Sequence, residues 1–573
     1  MPALQQEVGG PPLGPIEVES VGALIAARAA LDPGRAAVRS RAANGKWADL
    51  GWAALDGKRR SLAGGLAALG VGKGDRVAVV SPNSVEMLLA ELAIVSLGAV
   101  SVPIFPDYST DLLHHCLTDS GARLAFAGSA AQQHRIAGCR SIARVVVLDD
   151  HPLAGGVPLQ DLLSGADPGA VVSLDDPAFQ LYTSGTTGKP KGVLLSHRNV
   201  LSQQAAMAQV WDVSDRDVFL SYLPWHHCFG ALFERMMALW HRALLVLDDS
   251  RGRDLERLVE NFAEVKPTLY FSVPRVYQAL VARASADAGL RRSLLHDRLR
   301  FVFTAAAPLD AHCYRFFEQQ GVPVHEGWGL TETSPCVTVT RNDGPRSAGV
   351  AGWPLPGTAV RLEPTELGDE VLVRGPQVMR GYHGVPSTDV LSDDGWLRTG
   401  DLGEWTPHGL RLLGRKDGVF KLQNGEKVAS AGVEARILAA TPLIEQALVL
   451  GRGQPFVTAL CWLSEPAARR WLEDRSLDAA AAPWEVPELR RAIVEALQAA
   501  NQVAPIGYER VRRVALVKEP LALADGQLTP TLKVVRGTVT SRHASLVAAL
   551  LDEARAHPAV LDLLRRGDAF HNV

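Results

Sequence analysis

The chain has 573 residues, 47% hydrophobic and 21% charged, which marks a globular sequence too long for one ordinary domain. Lys and Arg number 59 against 62 Asp and Glu, a net charge of −3 that excludes a basic nucleic-acid binder and an acidic solvating tail. The six cysteines (Cys116, Cys139, Cys228, Cys313, Cys336 and Cys461) are scattered with no C-x-x-C pair, which disfavours a disulfide frame or zinc site and favours reduced thiols in a cytoplasmic protein.

The first residues, "MPALQQEVGGPPLGP", carry no basic n-region and no apolar h-region, so no secretory signal is expected. "RVAVVS" at 76–81 then reads as a strand, an amphipathic stretch around 84–97 as a helix, and "AVSVPIF" at 99–105 as the next strand. The most apolar run, Leu92 to Phe105, contains Gly98 and Pro103 and is too short to span a bilayer. It reads as helix, turn and strand of a core, which implies a soluble or peripherally attached protein. "ARVVVLDD" (143–150), "ALLVLDD" (243–249), "TLYFSV" (268–273) and "LRFVFTAA" (299–306) repeat the strand theme between helix-length segments. That alternation predicts parallel-type sheets covered by helices. From about 356 to 413 the pattern shifts to short strands with tight turns, predicting a small antiparallel β unit. A smaller α+β region follows, and the domain boundary falls at 413/414, giving domains 1–413 and 414–573. The Ala-rich "LDAAAAP" at 477–483 reads as a loop.

"LYTSGTTGKPKGV" (181–193) holds the aliphatic hydroxyls of Thr183, Ser184, Thr186 and Thr187, the glycines Gly185, Gly188 and Gly192, and the cations Lys189 and Lys191. Glycines let backbone N–H groups turn inward, and hydroxyls and lysines add donors and charge, so phosphate is the expected ligand. The spacing is wrong for a Walker loop, because only Thr186 and Thr187 separate the first two glycines. Pro190 also pushes Lys189 out of helical space, so no helix can start there. A hydroxyl-rich clamp over a triphosphate remains, with a plain Gly/Thr turn as the bland alternative. Five further stretches stand out: "PWHHCFG" (224–230), "EGWGLTETSP" (326–335), "LRTGDLG" (397–403), "GRKDGVFKLQNGEKV" (414–428) and "LTPTLKVVR" (528–536). Singly each has an ordinary structural explanation. Histidines pack in cores, aspartates cap turns, and most lysines are solvated.

In this order and combination the chain resembles the adenylate-forming superfamily, nearest to its long-chain fatty acyl-CoA synthetases, from about residue 30 to residue 540. "YTSGTTGKPKG" matches its phosphate loop, and "GWGLTETSP" its Y-G-x-T-E segment with Trp328 in the tyrosine position. "VPRVY" (273–277), "GRKDGVFKLQNGEKV" and "LTPTLKV" are similar to the long-chain branch. The resemblance implies an α/β fold. Its large N-terminal domain would hold two helix-covered parallel-type sheets and a small β-barrel-like unit, hinged to a small α+β C-terminal domain. It also implies residue roles. Thr183, Ser184, Gly185, Thr186, Thr187, Gly188, Lys189 and Lys191 would hold the β- and γ-phosphates of ATP. Thr331 would contact the α-phosphate, and Glu332 would ligate Mg²⁺. Ala305, Ala306 and Trp328 would bracket adenine, and Asp401 and Arg415 would hold the ribose. His227 would sit near the carboxylate and thiol path, Asp417 at the hinge, and Lys533 between carboxylate and α-phosphate. Lys421 would face the active site in the second, thioester-forming half-reaction.

The chemistry suits those residue types. Joining a carboxylate to an α-phosphate brings two anions together, which a hard metal ion and a protonated lysine can neutralise. The expected activity is ATP-dependent activation of a carboxylic acid, of medium to long chain, to acyl-AMP with pyrophosphate release, then transfer to coenzyme A. A ligase loading a separate acyl carrier protein, a luciferase-like oxidation, a Walker-type phosphotransferase and a catalytically inactive nucleotide-binding protein are the alternatives. No nucleic-acid partner and no transmembrane segment are expected; peripheral membrane contact is compatible with the sequence.

Overall fold

The computed structural model describes residues 6–149, 151–184, 190–252, 254–305, 307, 309–342, 344–386, 390–478, 480–504, 506–522, 525–528 and 534–564. The chain divides into two compact units. The first comprises Met1–Glu363, Val371–Thr399 and Trp405–Arg411, and the second Pro364–Glu370, Gly400–Glu404 and Leu412–Val573.

Two large sheets dominate the first unit, and both are parallel at the centre and antiparallel at an edge. In the eight-stranded sheet, Arg76–Val80 pairs in parallel with Val100–Pro103 and Leu124–Ala127, and Leu124–Ala127 with Arg144–Val147. These strands are short, nearly continuous apolar runs because helices cover both faces, leaving no solvent side for polar residues to alternate onto. The crossover helix Val85–Ser96 shows the local logic. The Ser84 hydroxyl accepts from the Met87 N–H, a serine cap at the end of a strand-to-helix turn, and every residue from Met87 to Val95 is buried. The run Leu92–Phe105 is thus helix, turn and strand as expected. The nine-stranded sheet has a parallel centre of 38–39, Leu244–Leu247, Val218–Ser221, Leu269–Ser272, Phe301–Thr304 and 324–326. The observed fold class is the expected α/β one.

A five-stranded sheet forms the small β unit, in the order Gln6–Gly9, Ala359–Thr365, Gly368–Arg374, Leu397–Thr406, Gly409–Arg415. Its first strand was not anticipated. "QEVG" has no apolar alternation, and it becomes a strand only by pairing antiparallel with Ala359–Leu362. In the second unit, Ile444–Leu450, Val457–Leu463, Val511–Val517 and Val560–Asp562 make a four-stranded sheet packed by the helices Ser430–Ala440 and Pro487–Gln502. The segment beyond Lys533 had no functional account from sequence; here it supplies two helices, Arg536–Arg542 and Ala544–Leu551, and the edge strand. Arg513 ties it down, donating to the carbonyls of Ala549, Leu550 and Asp552 and to the Asp562 carboxylate at 2.7–3.1 Å. Among the described residues no helix is long and apolar enough to cross a membrane. All six cysteines are buried and none forms a disulfide.

Candidate functional site

Strand Pro177–Ser184 runs antiparallel to Pro190–Ser196, with Thr183 opposite Lys191 and Ser184 opposite Pro190. The hydroxyl-rich stretch therefore joins two strands of a hairpin, not a strand to a helix, and the Walker arrangement is excluded. Gly185, Thr186, Thr187, Gly188 and Lys189 lie outside the described residues, as do Ala306, Lys533 and the side chain of Ser184.

The second element of the first unit is the segment after strand Val324–Gly329. The strand turns at Leu330 into a single 3-10 turn, Thr331–Thr333, before Cys336–Val339 returns antiparallel. Thr333 fastens the turn: its hydroxyl accepts from the Leu330 N–H at 2.9 Å and lies 2.7 Å from the Pro335 carbonyl. Gly329 is obligatory. A β-carbon there would lie 1.7 Å from the Pro335 carbonyl oxygen, a clash between backbone atoms that no rotamer change relieves. These constraints present Thr331, which is buried, and Glu332, which is half-buried, from consecutive positions.

Strand Gly381–Tyr382 joins these two elements. It pairs antiparallel with Val193 and Leu194 on the outgoing hairpin strand. The Tyr382 phenol donates to Glu332 Oε1 at 2.7 Å, while Lys191 Nζ stands 5.3 Å from the centre of the same ring. Glu332 is held on its backbone as well, its carbonyl accepting from the Met379 N–H at 2.8 Å. The hairpin, its lysine and the acidic residue are thereby locked into one constellation. Tyr382 was missed in the sequence because its strand has only two residues and its partner lies 50 positions away.

The two histidines separate into different jobs. His226 is buried, packs tilted against Phe105 at 4.8 Å between ring centres, and donates from Nε2 to the Ser81 carbonyl at 2.5 Å. Burial drives its pKa down to about 4, so it is a neutral packing histidine. His227 is half-buried, and its Nδ1 accepts from the Phe229 N–H at 3.3 Å, which puts the proton of the neutral ring on Nε2. The next residue, Cys228, places Sγ 3.3 Å from the Thr331 hydroxyl, so the histidine pair and the Thr-Glu turn are neighbours. The apolar run behind them is core. Phe229 and Phe233, on the π-helix Phe229–Arg235, pack on Phe303 at 5.6 and 5.0 Å between ring centres. Trp328 and Ala305 are half-buried at the ends of the strands Val324–Gly329 and Phe301–Thr304.

Within the second unit, Asp401 is buried and Arg415 exposed, and Arg415 Nη1 lies 3.3 Å from Asp401 Oδ1. The two residues picked for the ribose are therefore side by side. Asp417 sits in a 3-10 turn, Lys416–Gly418, with Arg415 Nε 3.9 Å from its carboxylate. Arg452 donates to the Asp417 and Val419 carbonyls at 3.4 Å each. Lys421 ends strand Val419–Lys421 and pairs with Glu366 at 3.1 Å, both side chains exposed. Sequence reasoning missed Glu370, buried in strand Gly368–Arg374, which receives the Lys416 ammonium at 3.0 Å.

Comparisons with known proteins show the family to which the chain belongs. The profile of the AMP-binding enzyme family matches residues 25–383, and that of the AMP-binding enzyme C-terminal domain matches 417–555. A long-chain-fatty-acid–CoA ligase, FadD15, of Mycobacterium bovis is 31% identical, covering 90% of this chain and 94% of its own. The peroxisomal long chain acyl-CoA synthetase 7 of Arabidopsis thaliana is 27% identical, covering 91% and 84%. Among solved structures, ATP-bound MatB from Rhodopseudomonas palustris superposes with a TM-score of 0.72 at 25% identity, covering 92% of this chain and 99% of that one. The anthranilate CoA ligase AuaEII in complex with anthranoyl-AMP shares the fold at a TM-score of 0.77 and 21% identity, covering 94% and 99%. The chain belongs to the AMP-binding, adenylate-forming family of enzymes.

Proposed function

We propose that the protein is an ATP-dependent acid–thiol ligase that converts a medium- to long-chain fatty acid to its coenzyme A thioester. The observation that carries the reading is the Glu332–Tyr382–Lys191 constellation, which sets a carboxylate, a phenol and a cation beside the hydroxyl-rich hairpin. The names of the fatty-acid–CoA ligase relatives support the choice of acid and acceptor.

In the first half-reaction a carboxylate oxygen of the acid attacks the α-phosphorus of ATP, and the bond to pyrophosphate breaks. The hairpin hydroxyls and lysines hold the departing phosphates in line, and Thr331 donates to the α-phosphate. Lys533 bridges the two anions as they meet. Asp401 and Arg415 hold the ribose, and Ala305, Ala306 and Trp328 flank the adenine. In the second half-reaction the thiol sulfur attacks the acyl carbon of acyl-AMP, AMP leaves with the bonding electrons, and the thiol proton is lost. His227 is the titratable group beside that path, and Lys421 serves this step.

Mg²⁺ fits the residues present. Glu332 offers a hard oxygen ligand, and among the described residues no group of three or more His, Cys, Asp or Glu side chains could hold a metal on its own. One carboxylate completed by phosphate oxygens and water is the usual Mg²⁺ site. Bound there, the ion would neutralise phosphate charge. We further propose the domain division 1–413 and 414–573, with the hinge at Asp417, on the support of the two family matches, and a cytoplasmic location, on the support of six cysteines outside any disulfide.

Incubating the protein with ATP, Mg²⁺, fatty acids of graded length and coenzyme A tests the reading. Acid-dependent release of AMP and pyrophosphate with thioester formation is expected. ADP release, or no nucleotide turnover with any acid, would overturn it, and adenylation without thioester formation would point to a carrier-protein acceptor.

A further inference from the structure

We propose that Glu370 and Lys416 are positioning residues for the Asp401–Arg415 pair, and through it for the ribose of ATP. The inference rests on the reading that Asp401 and Arg415 hold the ribose hydroxyls. Glu370 lies at the junction of the two segments that carry that pair. Its Oε1 accepts the N–H of Gly400, the residue before Asp401, at 3.2 Å. Its Oε2 accepts from Nζ of Lys416, the residue after Arg415, at 3.0 Å. One carboxylate thus pins both segments.

The charge balance gives the arrangement its consequence. The Glu370 side chain is 5% exposed, and a carboxylate buried that far needs a cation beside it. Lys416 supplies the cation. Arg415 is the neighbouring guanidinium, and it lies against Gly400: a β-carbon on that glycine, whose φ is +72°, would stand 3.2 Å from Arg415 Nη2. Without Lys416, Glu370 competes with Asp401 for Arg415. Lys416 therefore keeps Arg415 on Asp401 by satisfying Glu370 itself. Neither Glu370 nor Lys416 touches nucleotide in this account; both act through the pair.

The test compares ATP with 2′-deoxy-ATP and 3′-deoxy-ATP in acid-dependent pyrophosphate exchange, with melting temperatures measured alongside. Lys416→Met is expected to raise the KM for ATP about tenfold, the size of one charge-assisted hydrogen bond, with kcat nearly unchanged. The KM for the deoxy analogue that already lacks the clamped hydroxyl should hardly move. Adding Glu370→Gln to Lys416→Met should restore most of the ATP preference, because the amide still accepts from Gly400 and carries no charge to compete. Lys416→Arg should behave as wild type. Asp401→Asn is the control for the underlying reading and should erase the preference. If Asp401→Asn erases it while Lys416→Met leaves it intact, or weakens all three nucleotides equally, the positioning role is overturned and the ribose assignment stands. If Asp401→Asn leaves the preference intact, both fall.

Discussion

The Tyr382 phenol and the Glu332 carboxylate, 50 residues apart, meet at 2.7 Å. The hydrogen bond holds the carboxylate beside Tyr382, which itself pairs with the outgoing strand of the hydroxyl-rich hairpin. Tyr382→Phe keeps the ring under Lys191 and removes only the donor. A hydrogen bond to a charged group is worth about 1.5–3 kcal/mol, so adenylation should slow roughly tenfold to a hundredfold with an unchanged melting temperature. Glu332→Gln removes the charge and should cost more, with the Mg²⁺ dependence shifted to higher concentration. Wild-type adenylation by Glu332→Gln at limiting Mg²⁺ would remove Glu332 from the metal site.

Gly329 sets where that carboxylate stands. Its missing β-carbon would lie 1.7 Å from the Pro335 carbonyl oxygen. Gly329→Ala must push the strand Cys336–Val339 away from Val324–Gly329 and take Thr331 and Glu332 with it. The expected result is a lower melting temperature together with adenylation reduced by two orders of magnitude or more, on the scale of a misplaced near-attack geometry. Normal pyrophosphate exchange in this variant would show that the turn tolerates displacement.

Much of the fold was legible because its signals are local. Strands such as Arg76–Val80 and Phe301–Thr304 announce themselves as apolar runs between helix-length segments, and the amphipathic stretch around 84–97 reads as the helix it forms. That no helix follows the hydroxyl-rich stretch was legible for the same reason, since Pro190 forbids the helix that a Walker loop needs, whereas the antiparallel pairing of its two flanking strands was not. Relations across the chain were not. Gln6–Gly9 is a strand only because Ala359–Leu362 lies beside it, and Tyr382 and Glu370 have no motif, since their meaning is the partner each meets. The doublet His226-His227 was legible as a motif, but only burial divides it into a buried packing residue and a half-buried one.

Glu326, two residues before Trp328, makes the pH behaviour testable. Burial raises its pKa to about 7, although its carboxylate accepts from the Gly349 N–H at 2.8 Å. A carboxyl raised in the folded state imposes no penalty below its unfolded value near 4.5, and an increasing one as pH climbs to 7. Two and a half units correspond to a penalty on the order of 3 kcal/mol above pH 7. Glu326→Gln keeps the acceptor and abolishes the titration. Its stability in urea should match wild type near pH 4.5 and exceed it increasingly up to pH 8. The buried His226, with its pKa lowered to about 4, works the other way, losing stability as pH falls from 6.5. It affects both proteins alike, so the difference between them isolates Glu326. A constant difference across pH 4.5–8 would mean that Glu326 does not titrate in this range.

The two lysines separate the half-reactions. Lys533 is the residue assigned to bridge carboxylate and α-phosphate, a task that exists only while pyrophosphate is leaving. Lys421 ends its strand paired with Glu366 at 3.1 Å, a surface pair with 44% and 88% of the two side chains exposed. An ion pair that exposed is worth little, so Lys421 is not fixed there by energy and can serve another anion when one arrives. Lys533→Ala should abolish acyl-AMP formation yet still convert supplied acyl-adenylate to thioester. Lys421→Ala should form acyl-AMP normally and release thioester slowly. Each loss should reach at least about tenfold to a hundredfold in the affected step, the worth of one charge-assisted contact in an enclosed site. Glu366→Gln supplies the control: if the surface pair is only a resting place for Lys421, removing it should leave both half-reactions within about twofold of wild type, well below one charge-assisted contact. Equal losses in both steps for both lysines would mean that a single arrangement of the chain performs the whole reaction, and the hinge at Asp417 would have no part in it.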